Sequence, residues 1–372
     1  MSEKTSSVHY INYLQLNKIL DAQDLISDKE GKAAHEEMLF IIIHQTYELW
    51  FKQILHEIES IMDLFKKEKI DESSVGVVVR RMDRVNKIMT TLVGQLDILE
   101  TMTSLDFLDF RDHLSPASGF QSHQFRKLEV MLGLKIEKRH QFGGCPYHSQ
   151  FEAEKKEEIL DLEESPSLFN LLEKWLERIP FLNMGDFDFS QKYEEAVNEM
   201  LDKEIAGIKD ANLTQEDKSL RIRMIDENRK YFERVLDEKI HNEAIESGET
   251  SLSYKATMSA LLINLYRDQP ILHLPYQLLR GLVEMDHKIL TWRFRHVQMV
   301  EKMLGQKIGT GGSSGQGYLK QTVDKHKLFT DIANIATLMI SRSYLPELPQ
   351  NIKDTLGFNL SLIHISEPTR PY

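Results

Sequence analysis

The residues of this chain best suited to chemistry are two histidines in aromatic surroundings. His44 lies in Phe40-Ile41-Ile42-Ile43-His44-Gln45-Thr46-Tyr47-Glu48-Leu49-Trp50, and His296 lies in Trp292-Arg293-Phe294-Arg295-His296-Val297. An imidazole can ligate a metal, carry a proton or hold a single hydrogen bond in a core. At helical spacing Phe40, His44, Tyr47 and Phe51 share one face, and His296 stands on an amphipathic stretch. On pattern alone each reads as a core histidine with one hydrogen bond, and periodicity does not decide between that and a ligand.

Other chemical arrangements fail on their spacing. His35-Glu36 opens like the helix of a zinc protease, but Leu39 stands where the second histidine is required. His140 and His148 flank Cys145, a single thiol with no fourth ligand nearby. The run Gly309-Thr310-Gly311-Gly312-Ser313-Ser314-Gly315 lacks the Gly-Lys-Ser/Thr ending of a phosphate loop, and Ser314 stands where a dinucleotide fingerprint needs glycine. Such a loop can still bring backbone amides and the Thr310 hydroxyl close to a small ligand, because glycine has no side chain in the way.

The elements that must position these residues are helical. Apolar residues recur at helical spacing from Lys32 to Phe65 with no Gly or Pro between them, and again over Ser73 to Thr101 and Gln121 to Leu132. The pattern resumes over Tyr254 to Leu265, pauses at Pro270 and Pro275, continues from Gln277 to Leu304, and is expected once more from Gly317 to Tyr344. No set of alternating strand patterns recurs, so the fold class is all-α. The stretch 135–250 carries charge runs such as Glu154-Lys155-Lys156-Glu157-Glu158 and reads as an inserted, solvated helical segment. The division is then an N-terminal arm (1–31), one helical core (32–134 with 251–345), the insertion (135–250) and a tail (346–372). Within the tail, 362–372 resembles translated adapter sequence and is expected to be non-native.

Composition narrows the partners. With 58 acidic against 46 basic residues the net charge is -12, which disfavours a phosphate backbone as partner. One cysteine excludes an intrachain disulfide and a cysteine-ligated cluster. No apolar run approaches the roughly 18 residues of a membrane span. A cytoplasmic protein that binds neither nucleic acid nor membrane is expected.

Taken together and in order, six segments resemble the tryptophan 2,3-dioxygenase family. They are Tyr10-Ile11-Asn12-Tyr13, His35 through Trp50, Phe107-Leu108-Asp109-Phe110-Arg111, Ser115-Pro116-Ala117-Ser118-Gly119-Phe120-Gln121-Ser122, Trp292 through His296, and Gly309 through Gly315. The insertion and the segment from Ser253 to Leu279 resemble the longer, animal-type members. The resemblance implies a helical haem-binding bundle that uses haem b, ferrous when active, and O2 to open the indole C2–C3 bond of L-tryptophan, giving N-formyl-L-kynurenine. It makes His296 the proximal haem ligand and His44 the distal histidine beside the indole N–H. It makes Arg111 the carboxylate clamp, which suits a planar guanidinium. Thr310 would hold the substrate ammonium, Ser118 would line the distal face, and Phe40 and Phe107 would pack the indole. Tyr10 and Tyr13 would reach a neighbour's site within a homotetramer built as a dimer of dimers. Two other readings stay open: a haem enzyme acting on another indole, and a helical haem sensor without turnover. A zwitterionic amino acid needs both Arg111 and Thr310, whereas a simple indole needs neither.

Overall fold

The computed structural model describes residues 9–134, 151–305, 307 and 326–357. Three short helices come first, α1 (Tyr10–Leu14), α2 (Leu16–Leu20) and α3 (Ile26–Lys29), followed by the long α4 (His35–Phe65) and α5 (Glu72–Leu99). Next are α6 (Ser104–Arg111) and α7 (His123–Leu132), separated by a turn with a cis Ser115–Pro116 bond. Further along lie α8 (Ala153–Glu164), α9 (Leu168–Glu177), α10 (Phe189–Asp210), α11 (Gln215–Leu236) and α12 (Glu238–Glu246). The chain continues through α13 (Tyr254–Leu265), α14 (Pro270–Leu304), α15 (Thr330–Asn334) and α16 (Gln350–Leu356). Among the described residues the only strands are Asn183–Met184 and Phe187–Asp188, which pair antiparallel, so the all-α expectation holds.

The core forms where α5 lies between α4 and α14. On α4, Ile43, Tyr47, Ile54, Ile58, Ile61 and Phe65 recur every three, four or seven residues and are all buried. Each such side chain contributes about 1.5–3 kcal/mol relative to leaving it in water. The Tyr47 hydroxyl donates to the Leu92 carbonyl at 2.8 Å, which pins α4 against α5. Helix α14 approaches α5 closely at Gly281, where a Cβ would meet the Met82 side chain at 2.9 Å and where the Asn86 amide donates to the Gly281 carbonyl at 2.9 Å. From 151–250, Leu168, Leu172, Trp175, Phe189 and Tyr193 are buried in the same apolar cluster as α4 and α14. Helices α10 and α11 fold back on each other, held in part by Arg229 donating to Asn198 Oδ1 and Asp202 Oδ1 at 2.7 and 2.6 Å.

Two expected boundaries are corrected. The expected pause is shorter and earlier: the chain breaks only over 266–269, between α13 and α14, and α14 is then continuous, with Pro270 at its first position, where the missing N–H costs nothing, and Pro275 inside it. Pro275 forfeits one early helical hydrogen bond, and its burial offsets part of that loss. Of the helix expected from Gly317 to Tyr344, the described part is helical only over Thr330–Asn334, preceded by non-helical 326–329 and followed by 3-10 turns at Ile335–Leu338 and Arg342–Tyr344. The buried residues there, Phe329, Ile332, Ile335 and Leu338, recur every third position, which is the period of a 3-10 helix. At the head of this stretch the Asp286 carboxylate accepts from the Leu328 and Phe329 amides at 3.1–3.2 Å, anchoring the chain to α14.

Candidate functional site

His44 lies one turn after Phe40 on α4, and their rings are 4.1 Å apart. Its Nδ1 is 2.7 Å from the Phe40 carbonyl, and only N–H can donate to a carbonyl. The neutral ring therefore presents Nε2 as an acceptor. Helix α6, started by a capping box between Thr103 and Asp106, brings Phe107 and Phe110 against Phe40 at 5.8 and 5.5 Å, with 5.4 Å between them. Arg111 closes the same helix, partly buried. Beyond the cis-proline turn, the Ser118 amide donates to Gln121 Oε1 at 3.2 Å. That turn is tied back to α4 by Ser122 and Gln124, whose side chains donate to the Glu48 carboxylate at 2.6 and 2.8 Å.

His296 comes from α14. Burial, with the nearby His44 and Arg293 adding to it, lowers its pKa to about 4. Burial likewise lowers the pKa of His44, against the opposing pull of the Phe40 carbonyl and the Glu48 charge. Both side chains nonetheless keep accessible surface, as residues lining a concavity do. Beside His296, Trp292 stacks on the imidazole, and Tyr47, Phe51 and Phe125 surround the indole.

Below this aromatic set lies a buried charge cluster. The Glu129 carboxylate accepts from Arg126 at 2.5 Å and from Arg293, with His326 Nδ1 at 3.4 Å. The structure thus brings Phe40, His44 and Phe107 together, with Arg111 and Ser118 on the elements that follow and His296 on α14 against Trp292. Tyr10 and Tyr13 are not brought in, being 71% and 74% exposed on α1. Thr310, its glycine loop, Cys145, His140, His148 and the segment 362–372 lie outside the described residues. Phe110, Trp292 and Glu129 carry no role in the sequence reading. Trp292 was signalled by its spacing four residues before His296, and Glu129 by being an acid among the apolar residues of α7.

No group of three or more His, Cys, Asp or Glu able to hold a metal occurs among the described residues. A metal bound by one imidazole must bring its other ligands with it, as porphyrin-bound iron does. His296 is neutral near pH 7, as a ligand must be, and the walls around it are aromatic, so the residues present fit a haem.

The depressed His296 pKa has a pH consequence. A base whose folded pKa lies below its unfolded value, about 6.5, contributes stability that is fully present above that value and is lost as pH falls toward 4. Without haem, the protein should lose roughly 2–4 kcal/mol from this group across that window. Urea melts of wild type and His296→Leu at pH 7, 5.5 and 4 measure it, and parallel pH profiles would refute the effect.

Sequence comparison completes the picture. A family model described as tryptophan 2,3-dioxygenase matches residues 1–339. The chain belongs to the tryptophan 2,3-dioxygenase family. It is 46% identical to a tryptophan 2,3-dioxygenase of Bdellovibrio bacteriovorus, covering 96% of this chain and 99% of that protein. It is 46% identical to one of Dictyostelium discoideum over 96% and 90%, and 44% identical to tryptophan 2,3-dioxygenase B of Danio rerio over 92% and 84%. Bacterial, amoebal and vertebrate members of the family therefore stand at similar distance from it. No helix among the described residues is long and apolar enough to cross a membrane.

Proposed function

We propose that this chain is a haem-dependent dioxygenase that adds both atoms of O2 across the C2–C3 bond of L-tryptophan to give N-formyl-L-kynurenine, opening tryptophan degradation by the kynurenine pathway. The observation that carries this reading is the aromatic site itself, His44 against the Phe40, Phe107 and Phe110 wall of α4 and α6 and His296 of α14 stacked on Trp292, in a chain of this family. Ferrous haem b, held by His296, supplies the activation of O2 when bound. Both oxygen atoms remain in the product, so no external reductant is consumed.

The protein's own residues bind and orient. The aromatic wall accepts the indole and keeps water from the reacting bond. With Nδ1 committed to the Phe40 carbonyl, His44 Nε2 accepts the indole N–H and fixes which face of the ring is presented. That role needs no proton transfer, because the indole N–H is weakly acidic. Arg111, next to Phe110 in sequence, takes the carboxylate, and Ser118 lines the distal face. Thr310 takes the ammonium.

The test is to mix ferrous, haem-loaded protein with L-tryptophan in air and follow formylkynurenine absorbance. A persistent oxygen-bound spectrum without product would favour the sensor. Arg111→Lys separates tryptophan from a simple indole. It keeps the charge but loses the two-pronged fit, so kcat/KM for tryptophan should fall at least tenfold, about 1.4 kcal/mol or more, while haem content is unchanged. A loss under about threefold would move the clamp elsewhere.

The active form is proposed to be a cytoplasmic homotetramer, a dimer of dimers, completed by the arm. Helices α1 and α2 have five residues each and bury none, while Tyr10, Ile11, Tyr13 and Leu20 are each at least half exposed. Helices this short are not stable in water without a surface to pack on. Deleting residues 1–20 should leave haem binding intact while raising KM for tryptophan and loosening the oligomer. A fully active tetramer after deletion, by sedimentation and turnover, would contradict the role of the arm.

A further inference from the structure

Trp292 precedes His296 by one turn of α14, and its indole lies flat on the imidazole, with ring centroids 5.5 Å apart and planes 9° from parallel. Phe40 against His44, by contrast, is tilted by 37°. The indole is itself wedged. Phe51 meets it edge-on at 6.3 Å and 89°, Tyr47 at 6.0 Å and 62°, and Phe125 packs at 5.2 Å. Two of these rings come from α4 and one from α7. Phe125 is held in turn, since the Arg126 and Arg293 guanidiniums lie 5.1 and 5.2 Å from its ring centre and both are fixed by Glu129. Nothing in this assembly is free to turn alone.

We propose that Trp292 is a positioning residue that fixes the rotation of the His296 imidazole about its Cβ–Cγ bond, and so the direction in which its ligating nitrogen points. The proposal rests on His296 as the haem ligand. An imidazole on an α-helix has broad, weakly restrained rotation about that bond. A flat aromatic neighbour removes the freedom, because turning the ring by tens of degrees ends the stack and drives its edge into the indole. The wedge of Tyr47, Phe51 and Phe125 transmits the restraint to α4 and α7, so the ligand's angle is set by the core and not by the cofactor. A ligand held in this way gives a single, narrow distribution of iron–imidazole geometries.

The test is resonance Raman spectroscopy of the iron–histidine stretch in the ferrous holoprotein, with steady-state kinetics alongside. Trp292→Leu keeps apolar bulk but not a plane. It should broaden or split the band and lower kcat about tenfold, with KM for tryptophan changed less than twofold. Trp292→Phe restores a flat ring and should recover a narrow band. Phe125→Leu removes one wall of the wedge without touching His296, and it should broaden the same band to a lesser degree, which keeps the test alive if Trp292→Leu does not fold. A wild-type band in either leucine variant would overturn the proposal. An iron–histidine band that survives His296→Ala would instead overturn the ligand assignment itself.

Discussion

His296→Ala should abolish the five-coordinate histidine signature of the ferrous haem protein and reduce haem retained through gel filtration to a small fraction of one per chain. The expectation is large because the neighbourhood offers no substitute. Arg293 and Arg295 cannot coordinate, and both are committed to carboxylates, Arg293 to Glu129 and Arg295 to Asp97 and Glu100. Met299 is buried in the core with only a weakly binding thioether. His44 belongs to α4 and has one nitrogen engaged by the Phe40 carbonyl. Adding free imidazole to the variant should restore a histidine-like spectrum, since the concavity left by the side chain fits the missing ring. An unchanged spectrum in His296→Ala, with haem still stoichiometric, would move the ligand to another residue and with it the assignment of the two faces.

Some of this was legible in the sequence, for reasons visible in particular residues. Helix α4 was legible because its buried positions follow helical period over its whole length, uninterrupted by Gly or Pro. The end of α14 was legible for the same reason, but its start was not, because Pro270 and Pro275 signal a break locally and only tertiary burial keeps the helix continuous through Pro275. The segment after Phe329 misled because a three-residue apolar period resembles 3.6 over so short a run. At the site, periodicity left His44 and His296 undecided, since it reports which face a residue occupies and not what stands opposite. Their relation is a tertiary matter of α4 and α14, which no local pattern carries and which the sequence offered only through the resemblance to a family. Glu129 was illegible as a partner of Arg293 because 164 residues separate them and no local pattern joins them.

That pair sets the largest stability effect expected. Glu129 is 4% exposed, Arg126 9%, Arg293 6% and His326 2%, so the cluster sits almost wholly out of water. Burial alone would push the Glu129 pKa up. The positive charges of Arg126 and Arg293, with the His326 imidazole beside them, outweigh it and hold the carboxyl well below the usual carboxylate range. Burial meanwhile lowers the His326 pKa, which leaves two fixed cations facing one anion. Removing that anion takes the carboxylate partner from Arg293 in a medium that solvates a guanidinium poorly, so Glu129→Ala should cost about 3–5 kcal/mol. Against a typical total of about 5–15 kcal/mol that is a severe loss, equivalent to a Tm drop of roughly 4–6 °C for a chain of this length. Glu129→Gln, which keeps shape and an acceptor, should fall between the two. An acid with a depressed folded pKa contributes stability above its unfolded value, about 4.3, and loses it as pH falls. The gap between wild type and Glu129→Gln should therefore be constant from pH 8 to pH 6 and shrink below about pH 4. Replacing Glu129, Arg126 and Arg293 together by apolar residues of similar volume should recover much of the loss, because the penalty belongs to buried charge and not to missing contacts. Thermal melts of the four proteins without haem decide it. A Glu129→Ala protein within 1 kcal/mol of wild type would mean that water reaches the arginines and that the cluster does not hold α7 to α14.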